Sequence, residues 1–312
     1  MMKLRFFFLV LLSFFISLLL SGYSGNLSKE DIELKYAQAP SQFLVIDQTR
    51  IHYRDEGEGP TIVLIHGVLS SLHTWDGWAD NLKKDHRVIR LDIPAFGLTG
   101  KFGNEQYTLL SYLSLIEHFL TKIKAPKKFI LAGNSLGGFL AWNYSIVHPE
   151  QVSRLVLIDS VAYPQKFPFV LKLAISPWAR YLPPYLVPNF IVRKSVESVY
   201  GDPKRIRHGV IERYSDISKY PGNHEASITI FEYMSSLSHF ELETLVHLKE
   251  LPMPVLIMWG EKDHWIPFNP RWIQDLPKAK TIIYPGVGHV PMEEIPEQSV
   301  ADFRQWNSNL TP

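Results

Sequence analysis

Cysteine is absent from this chain of 312 residues. Its absence excludes a disulfide framework, thiol catalysis, iron–sulfur clusters and cysteine-ligated zinc. The chain also lacks an excess of charge of either sign, because 32 lysine and arginine residues balance 31 aspartate and glutamate residues, for a formal net charge of +1. A chain balanced in this way has no overall electrostatic attraction for nucleic acid. We therefore expect no nucleic-acid partner.

Apolar residues, in contrast, are abundant. They make up 46% of the chain, against 20% for charged residues. This proportion allows the chain to bury a sizeable core and excludes disorder as its dominant state. The length fits one large domain or two small ones.

The N-terminal segment, residues 1–25, is typical of a targeting sequence. Lys3 and Arg5 precede an apolar run over residues 6–20, which is the order of the charged and hydrophobic regions in a secretory signal. The run is short for a membrane span of about 20 residues, so cleavage and retention as an anchor both stay open. The positive flank places the rest of the chain outside the cytoplasm. We therefore expect a domain that is membrane-anchored, or secreted or periplasmic if the segment is cleaved.

Strands and helices alternate along most of the remaining chain. Strands are predicted at residues 43–47, 50–54, 61–65, 87–91, 128–132, 154–158, 254–259 and 280–284, and helices near 75–84, 109–123, 139–147, 270–275 and from 296 onwards. The run at 61–65 is apolar throughout, which is typical of a strand buried on both faces. The alternation predicts an α/β fold with a mostly parallel central sheet and helices on both faces.

The alternation stops between residues 160 and 248. We expect a helical cap, or lid, inserted there after the sixth strand, with the core formed by residues 26–159 and 249–312. The first part of the insertion is dense in proline and aromatic residues. Proline at this density prevents long helices. The aromatic residues indicate either the core of the cap itself or an apolar pocket beneath it.

One segment carries the pattern of a catalytic nucleophile. Residues 133–137, Gly-Asn-Ser-Leu-Gly, match G-x-S-x-G. The match follows a predicted buried strand and opens a predicted helix, which is the setting of a nucleophile elbow. Glycine allows the chain to turn sharply around the serine, and the helix directs its N-terminal N–H groups to the place where negative charge develops. We therefore predict Ser135 as the nucleophile.

A serine nucleophile needs a base, and the base needs an acid that orients it. His289 and Asp263 each lie just past the end of a predicted strand, and ligands bind at the carboxyl ends of strands in open α/β sheets. We predict His289 as the general base and Asp263 as its acid. Glu261 and Asp159 remain alternatives for the acid, because each also follows a strand closely.

The oxyanion hole needs two N–H donors. One is expected from Leu136, the residue after the nucleophile. The other is expected from the loop that follows the strand at 61–65, and we predict the amide of Val68. His66 in the same loop is interpreted as a structural residue. The sequence contains no H-E-x-x-H motif or comparable ligand cluster, so neither a metal nor an organic cofactor is expected.

Together these motifs make the chain similar to serine esterases and lipases of the α/β-hydrolase superfamily. The resemblance extends from about residue 43 to about residue 309. It is carried by His66-Gly67, the turn at 92–97 with Ala95 where the family usually has glycine, the elbow at 133–138, the acid loop at 259–263 and the histidine loop at 288–294. The resemblance implies the α/β-hydrolase fold and hydrolysis of carboxylic esters through a Ser-His-Asp triad and an acyl-enzyme.

The resemblance is greatest to bacterial membrane-associated or secreted esterases and to monoacylglycerol lipases. It implies a small-molecule ester or lipid substrate. The aromatic and basic residues of the expected cap, together with the N-terminal segment, suggest a medium-chain acyl group and a membrane surface as a partner. It leaves the oligomeric state open. Carbon–carbon bond hydrolases of the meta-cleavage product type and cofactor-free haloperoxidases stay as alternatives. A non-catalytic binding module with the same fold is a remote alternative, because the triad residues are all present.

Overall fold

The structure, a computed structural model, describes residues 27–103, 106–163, 189–236 and 247–310. The predicted targeting segment at residues 1–25 lies outside the described residues. So do residues 164–188, which hold most of the prolines of the predicted cap.

An eight-stranded sheet forms the centre of the fold. The strands are β1 (Gln42–Ile46), β2 (Thr49–Glu56), β3 (Thr61–Ile65), β4 (Arg87–Leu91), β5 (Phe129–Asn134), β6 (Val152–Ile158), β7 (Val255–Gly260) and β8 (Lys280–Tyr284). Their spatial order is β1-β2-β4-β3-β5-β6-β7-β8. Strand β2 pairs antiparallel with β1 and β4, and every other neighbouring pair is parallel. The predicted fold class, a mostly parallel α/β sheet, is confirmed.

Strand β3 lies inside the sheet, as its composition predicts. Its residues Ile62 to Ile65 are 0% exposed, and Leu64 pairs with Arg90 of β4 on one side and Ala132 of β5 on the other. A strand covered on both faces has no solvent face to supply polar residues, which explains its continuous apolar run.

Helices cover the sheet and connect its strands. They are α1 (Lys29–Tyr36), α2 (Asp76–Leu82), α3 (Leu109–Lys122), α4 (Leu136–Val147), α5 (Asn189–Val199), α6 (Val210–Ser218), α7 (Asn223–Ser236), α8 (Arg271–Asp275), α9 (Pro291–Glu294) and α10 (Pro296–Ser308), with short 3₁₀ turns at Leu72–Trp75 and Pro203–Arg205. Most helix and strand boundaries lie within three residues of those predicted from the sequence. Helices α1 and α9 are not predicted from the sequence pattern.

The first hairpin differs from the expectation in its turn. The sequence predicts a turn at Gln48 and Thr49, whereas the structure places it at Asp47 and Gln48. Both of these residues have a positive φ, 45° and 64°. A two-residue hairpin turn of this kind matches the right-handed twist of its strands, and aspartate tolerates the conformation better than most residues.

The segment between β6 and β7 contains α5, α6 and α7. The buried face of α7 includes Ile230 and Phe231, and the Phe231 ring lies 6.4 Å from the ring of Phe96 in the core. Helix α1 packs on the same segment, because its buried Ile32 joins an apolar cluster with Ile217 of α6. The division into a core and a cap at residues 160–248 stays a prediction.

The predicted membrane localisation requires correction. In the ranges that the structure describes, no helix is long and apolar enough to span a membrane. The helices α3 and α7 have 14 residues each, whereas a span needs about 20. The apolar run that motivated the anchor, the signal peptide and the membrane-surface partner lies outside the described residues. The described structure gives these assignments no support, and we withdraw them.

Ala95 occupies a backbone position that favours glycine. Its φ is 81°, and its side chain is 0% exposed. The Ala95 amide donates to the carbonyl of Gly100 at 2.7 Å, which holds the turn closed despite the strain. Alanine in place of the family's usual glycine therefore leaves the conformation of the turn intact. Its effect is limited to the backbone strain at Ala95.

We expect Ala95→Gly to leave the free energy of unfolding within about 0.5 kcal/mol of the wild type, because relief of the strained φ offsets the lost methyl group and the gain in unfolded-state entropy. The matched control is Ala141→Gly in the middle of α4, where alanine is equally buried. That change should cost about 1–2 kcal/mol. Urea denaturation measures both, and an equal loss would contradict the strain at Ala95.

Candidate active site

Ser135 lies at a strained turn between β5 and α4. Its backbone has φ 56° and ψ −119°, a combination that residues other than glycine seldom adopt. The turn is tight because β3 passes close by: a Cβ on Gly137 would lie 2.2 Å from the carbonyl oxygen of Ile65. Strain of this kind persists where the surrounding structure imposes it, and it is common at functional sites.

The loop after β3 lies directly beside Ser135. A Cβ on Gly67 would lie 2.8 Å from the Cβ of Ser135, so only glycine permits this approach. The Val68 amide follows immediately and makes no hydrogen bond within the described part of the chain. The Leu136 amide belongs to the first turn of α4, where N–H groups have no partner inside the helix. Within the described residues, therefore, neither predicted oxyanion donor has a hydrogen-bond partner, and the two lie on segments that meet at Ser135.

His66 holds this loop in place. Its Nε2 accepts from the amide of Ile93 at 3.1 Å, so its Nδ1 carries the proton and donates to the Gly67 carbonyl at 2.7 Å. The ring is fully buried, and burial lowers the pKa of His66. A neutral histidine with both nitrogens engaged acts as a structural link between two loops.

His289 and Asp263 lie together at the carboxyl ends of β8 and β7. The Nδ1 of His289 is 2.7 Å from the Oδ2 of Asp263. The other oxygen of Asp263 accepts from the amides of Trp265 and Ile266 at 2.8 and 2.9 Å. The Trp265 ring stacks on the histidine at 6.0 Å between centroids. Asp263 is thus fixed by its own loop and orients His289 through one nitrogen.

Asn134 connects the histidine loop to the serine. Its Nδ2 donates to the backbone carbonyl of His289 at 3.0 Å and to that of Ile158 at 3.1 Å. Ser135 Oγ and His289 Nε2 share no hydrogen bond in the described residues. Neither atom is one of the buried polar atoms left without a partner, so neither is sealed from solvent. Both residues are nearly buried, with exposed fractions of 3% for Ser135 and 4% for His289.

The alternative acids occupy different positions. Glu261 is exposed, and its Oε2 accepts from the amide of Gly286 at 2.9 Å. Asp159 is fully buried, and its Oδ1 accepts from the amide of Gly260 at 3.0 Å. Burial and the neighbouring charge of Asp263 raise the pKa of Asp159 well above its usual value. Of the three candidates, Asp263 is the one hydrogen-bonded to the histidine.

Asp159, Asp263 and His289 each present a ligand atom within 4.8 Å of the other two. Such a set could hold a metal ion by spacing alone. However, both oxygens of Asp263 and the Nδ1 of His289 are already engaged in the hydrogen bonds described above. A metal would have to break these bonds, so the donor set fits a hydrogen-bonded group better than a metal centre.

Glu294 is a structural residue of the site that the sequence pattern does not identify as functional. Its side chain has 0% exposure. It accepts from the amides of Gly201, Asp202 and Gly288 at 2.8–3.0 Å and from Arg205 at 3.0 Å. The glutamate therefore ties the histidine loop to the segment after α5.

A second contact joins the same segments. The amide of His289 donates to the carbonyl of Val199 at 2.7 Å. Trp265 contributes as well, because its Nε1 donates to the Oγ of Ser198 at 2.9 Å. The end of α5 is thus bonded both to the acid loop and to the histidine loop. Only tertiary proximity reveals these roles, since α5 is about 90 residues away in sequence.

Comparison with known proteins now identifies the family. The family model described as the alpha/beta hydrolase fold matches residues 60–296, which include all of the site residues above. The chain belongs to the α/β-hydrolase family. The resemblance and the fold predicted from the sequence are both confirmed.

Relatives in this family catalyse different reactions. A pimeloyl-(acyl-carrier protein) methyl ester esterase of Nitrosomonas europaea is 26% identical over 264 residues, covering 81% of this chain and 98% of that protein. A 2-hydroxy-6-oxononadienedioate/2-hydroxy-6-oxononatrienedioate hydrolase of Comamonas testosteroni is 24% identical over 271 residues, covering 80% and 90%. The chain is therefore an enzyme of the α/β-hydrolase superfamily whose relatives include esterases and carbon–carbon bond hydrolases.

A solved structure with similar coverage is that of a bacterial membrane phospholipase A. It superposes with a TM-score of 0.71 at 24% identity and covers 99% of each chain. At this identity the similarity establishes the shared fold alone.

We expect Glu294→Gln to lower the free energy of unfolding by about 3 kcal/mol, because the new amide group would face N–H donors and leave them unpaired. The matched control is Glu297→Gln, which removes the exposed pair with Arg207 and should change stability by less than about 0.5 kcal/mol. Urea denaturation compares the two. Equal effects would show that the buried glutamate does not fasten the histidine loop.

Proposed function

We propose that this hydrolase cleaves carboxylic esters with Ser135 as nucleophile, His289 as general base and Asp263 as the acid that orients it. One observation carries the proposal: a serine in a strained turn stands beside two free backbone amides, at the sheet edge where an aspartate holds a histidine by its Nδ1. This is the arrangement that acyl transfer requires.

In the first half of the reaction, Ser135 Oγ attacks the ester carbonyl carbon while His289 Nε2 accepts the hydroxyl proton. The carbonyl oxygen becomes an oxyanion and accepts hydrogen bonds from the amides of Val68 and Leu136. These donors are fixed before the reaction, so they stabilise the developing charge without reorganisation. The carbon–oxygen bond to the alcohol then breaks, and the imidazolium gives its proton to the departing oxygen.

In the second half, His289 accepts a proton from water, and the water oxygen attacks the acyl-enzyme. The same amides stabilise the second oxyanion. The bond to Ser135 Oγ breaks, the proton returns to the serine, and the carboxylic acid leaves. Asp263 keeps the histidine in the tautomer with a free Nε2 throughout and stabilises the imidazolium that forms in each half.

The surroundings of the site favour an apolar acyl group. The centroid of the Phe96 ring lies 6.3 Å from that of His66 and 6.4 Å from that of Phe231 in α7. Aromatic side chains therefore extend from the loop after β3 to the segment between β6 and β7. Val68 and Leu69 are partly buried against the same core. Apolar walls with a few oriented polar groups are typical of small-molecule sites, and they support a medium-chain or lipid-like ester as substrate.

Carbon–carbon bond hydrolysis is the second candidate. The similarity to the Comamonas testosteroni hydrolase supports it. A serine, a histidine and an oxyanion hole would serve that reaction too, because it also begins at a carbonyl carbon. The substrate itself decides between the two reactions.

Ser135→Ala should abolish labelling by a fluorophosphonate probe and lower kcat for a nitrophenyl ester by about 10⁶-fold, because the acyl-enzyme cannot form. Ser145→Ala is the matched control, since Ser145 is a buried serine of the same helix whose Oγ donates to the Ala141 carbonyl. It should keep both labelling and turnover. Labelling that persists in Ser135→Ala would refute the proposed nucleophile.

A substrate panel tests the reaction class. Nitrophenyl esters of increasing acyl length are compared with a vinylogous diketone acid, the substrate type of carbon–carbon hydrolases. We expect kcat/KM to rise from short to medium acyl chains and to exceed the value for the diketone. A higher kcat/KM for the diketone would favour the second candidate instead.

A further inference from the structure

A second carboxyl group lies beneath the proposed triad. Asp159 directly follows β6 and is 0% exposed. Its Oδ1 accepts from the Gly260 amide, but its Oδ2 is buried with no hydrogen-bond partner among the described residues. A buried carboxylate oxygen without a donor costs free energy. The mechanism above gives Asp159 no role, so this atom needs an explanation.

The Asp159 carboxyl lies close to the proposed triad. One of its oxygens is within 4.8 Å of a ligand atom of Asp263 and of one of His289, and the charge of Asp263 helps to raise the pKa of Asp159. Two carboxylates that share a buried site cannot both remain ionised. Asp263 is the ionised member, because it accepts from Trp265, Ile266 and His289.

The other groups around Asp159 do not favour a second negative charge. Glu294 and Tyr284 lie close enough to interact electrostatically with Asp159, and neither brings a positive charge. In the described ranges, neither Asp159 nor Asp263 forms an ion pair with a lysine or arginine, and His289 is the one cationic partner that Asp263 can have. Among the described residues, the Gly260 amide is the hydrogen-bond donor to the Asp159 carboxyl.

We propose that Asp159 holds a proton on Oδ2 and donates it in a hydrogen bond to the carboxylate of Asp263. Both oxygens of Asp159 then have partners, Gly260 N–H for one and Asp263 for the other. The two aspartates carry one negative charge between them. The shared proton does not depend on the proposed function. Its catalytic role does rest on that function, because in this role Asp159 is a positioning residue that acts through Asp263.

The shared proton would change what Asp263 can do. A carboxylate that already accepts a strong hydrogen bond is less basic, so it does not take the proton of His289 Nδ1. It also has less freedom to rotate away from the histidine. Asp159 would therefore help to keep the imidazole in the tautomer with a free Nε2. It would also stabilise the negative charge on Asp263, which in turn stabilises the imidazolium of His289.

The backbone of Asp159 determines which variants are informative. Its φ is 44°, in the left-handed region that aspartate, asparagine and glycine tolerate best. Asp159→Asn keeps the shape and an N–H donor toward Asp263, and it cannot ionise. Asp159→Gly accepts the backbone conformation and removes the side chain. Circular dichroism and urea denaturation establish that each variant is folded.

Infrared spectroscopy detects the proton directly. The wild type at neutral pH should show the carbonyl stretching band of a buried protonated carboxylic acid, and Asp159→Asn should lose it. Asp275→Asn is the matched control, because Asp275 is a buried aspartate that pairs with Lys249 instead. It should keep the band. A wild type without the band, or a band that survives in Asp159→Asn, would overturn the proposal whether or not the protein cleaves esters.

Kinetics on a nitrophenyl ester tests the positioning role. Asp159→Asn should keep kcat within about threefold of the wild type, with the acid limb of the pH profile unshifted, because the donor and the charge are both preserved. Asp159→Gly should lower kcat by about tenfold or more with little change in KM, as expected for one lost charge-assisted hydrogen bond.

The pH profile of Asp159→Asn also shows what would contradict the proposal. If Asp159 were ionised in the working enzyme, its charge would raise the pKa of His289. Asp159→Asn would then shift the acid limb of the profile to lower pH. That shift would overturn the shared proton, and an unchanged kcat in Asp159→Gly would overturn the positioning role. Absence of ester hydrolysis in the wild type would count against the proposed function instead, and the infrared result would still decide the proton.

Discussion

The close approach of the carboxyl ends of β3 and β5 is the constraint on which the site depends. The two strands are hydrogen-bonded neighbours, so the loop after one and the turn after the other must occupy the same small space. Gly67 and Gly137 make this possible because a Cβ at either position would collide with the facing strand or turn. The backbone of Ser135 takes up the remaining strain. The same crowding brings the loop that carries Val68 beside the turn that carries Ser135 and Leu136.

Buried acids organise the other half of the site. Asp263 and Glu294 each accept backbone N–H groups from loops that have no regular structure of their own. Hydrogen bonds to a carboxylate are stronger than those between neutral groups, so a single side chain can hold several loop amides. The histidine is therefore placed by anchored loops rather than by the sheet alone. The pairing of Asp263 with His289 is one bond within this larger set.

These anchors also connect the histidine loop to the helices between β6 and β7. Val199, Ser198 and Gly201 contact the loops that carry His289 and Asp263. The N-terminal helix α1 is joined to the same region through Ile32 and through the pairing of Lys35 with Asp216. The position of His289 therefore depends on this segment as well as on the sheet.

Local pattern was enough to predict the fold class, the strand–helix alternation and the sharp turn at Ser135. Apolar runs such as 61–65 indicate buried strands, and glycine stands on both sides of the serine. Local pattern could not find α9, place the first hairpin turn, or separate Asp263 from Asp159, since both follow strands in the same way. Only the tertiary structure brought His289 onto Asp263 and left Asp159 with an unpartnered oxygen. It did so because side chains far apart in sequence meet where parallel strands end, and because hydrogen bonds formed only in the folded chain decide which carboxyl group holds the histidine.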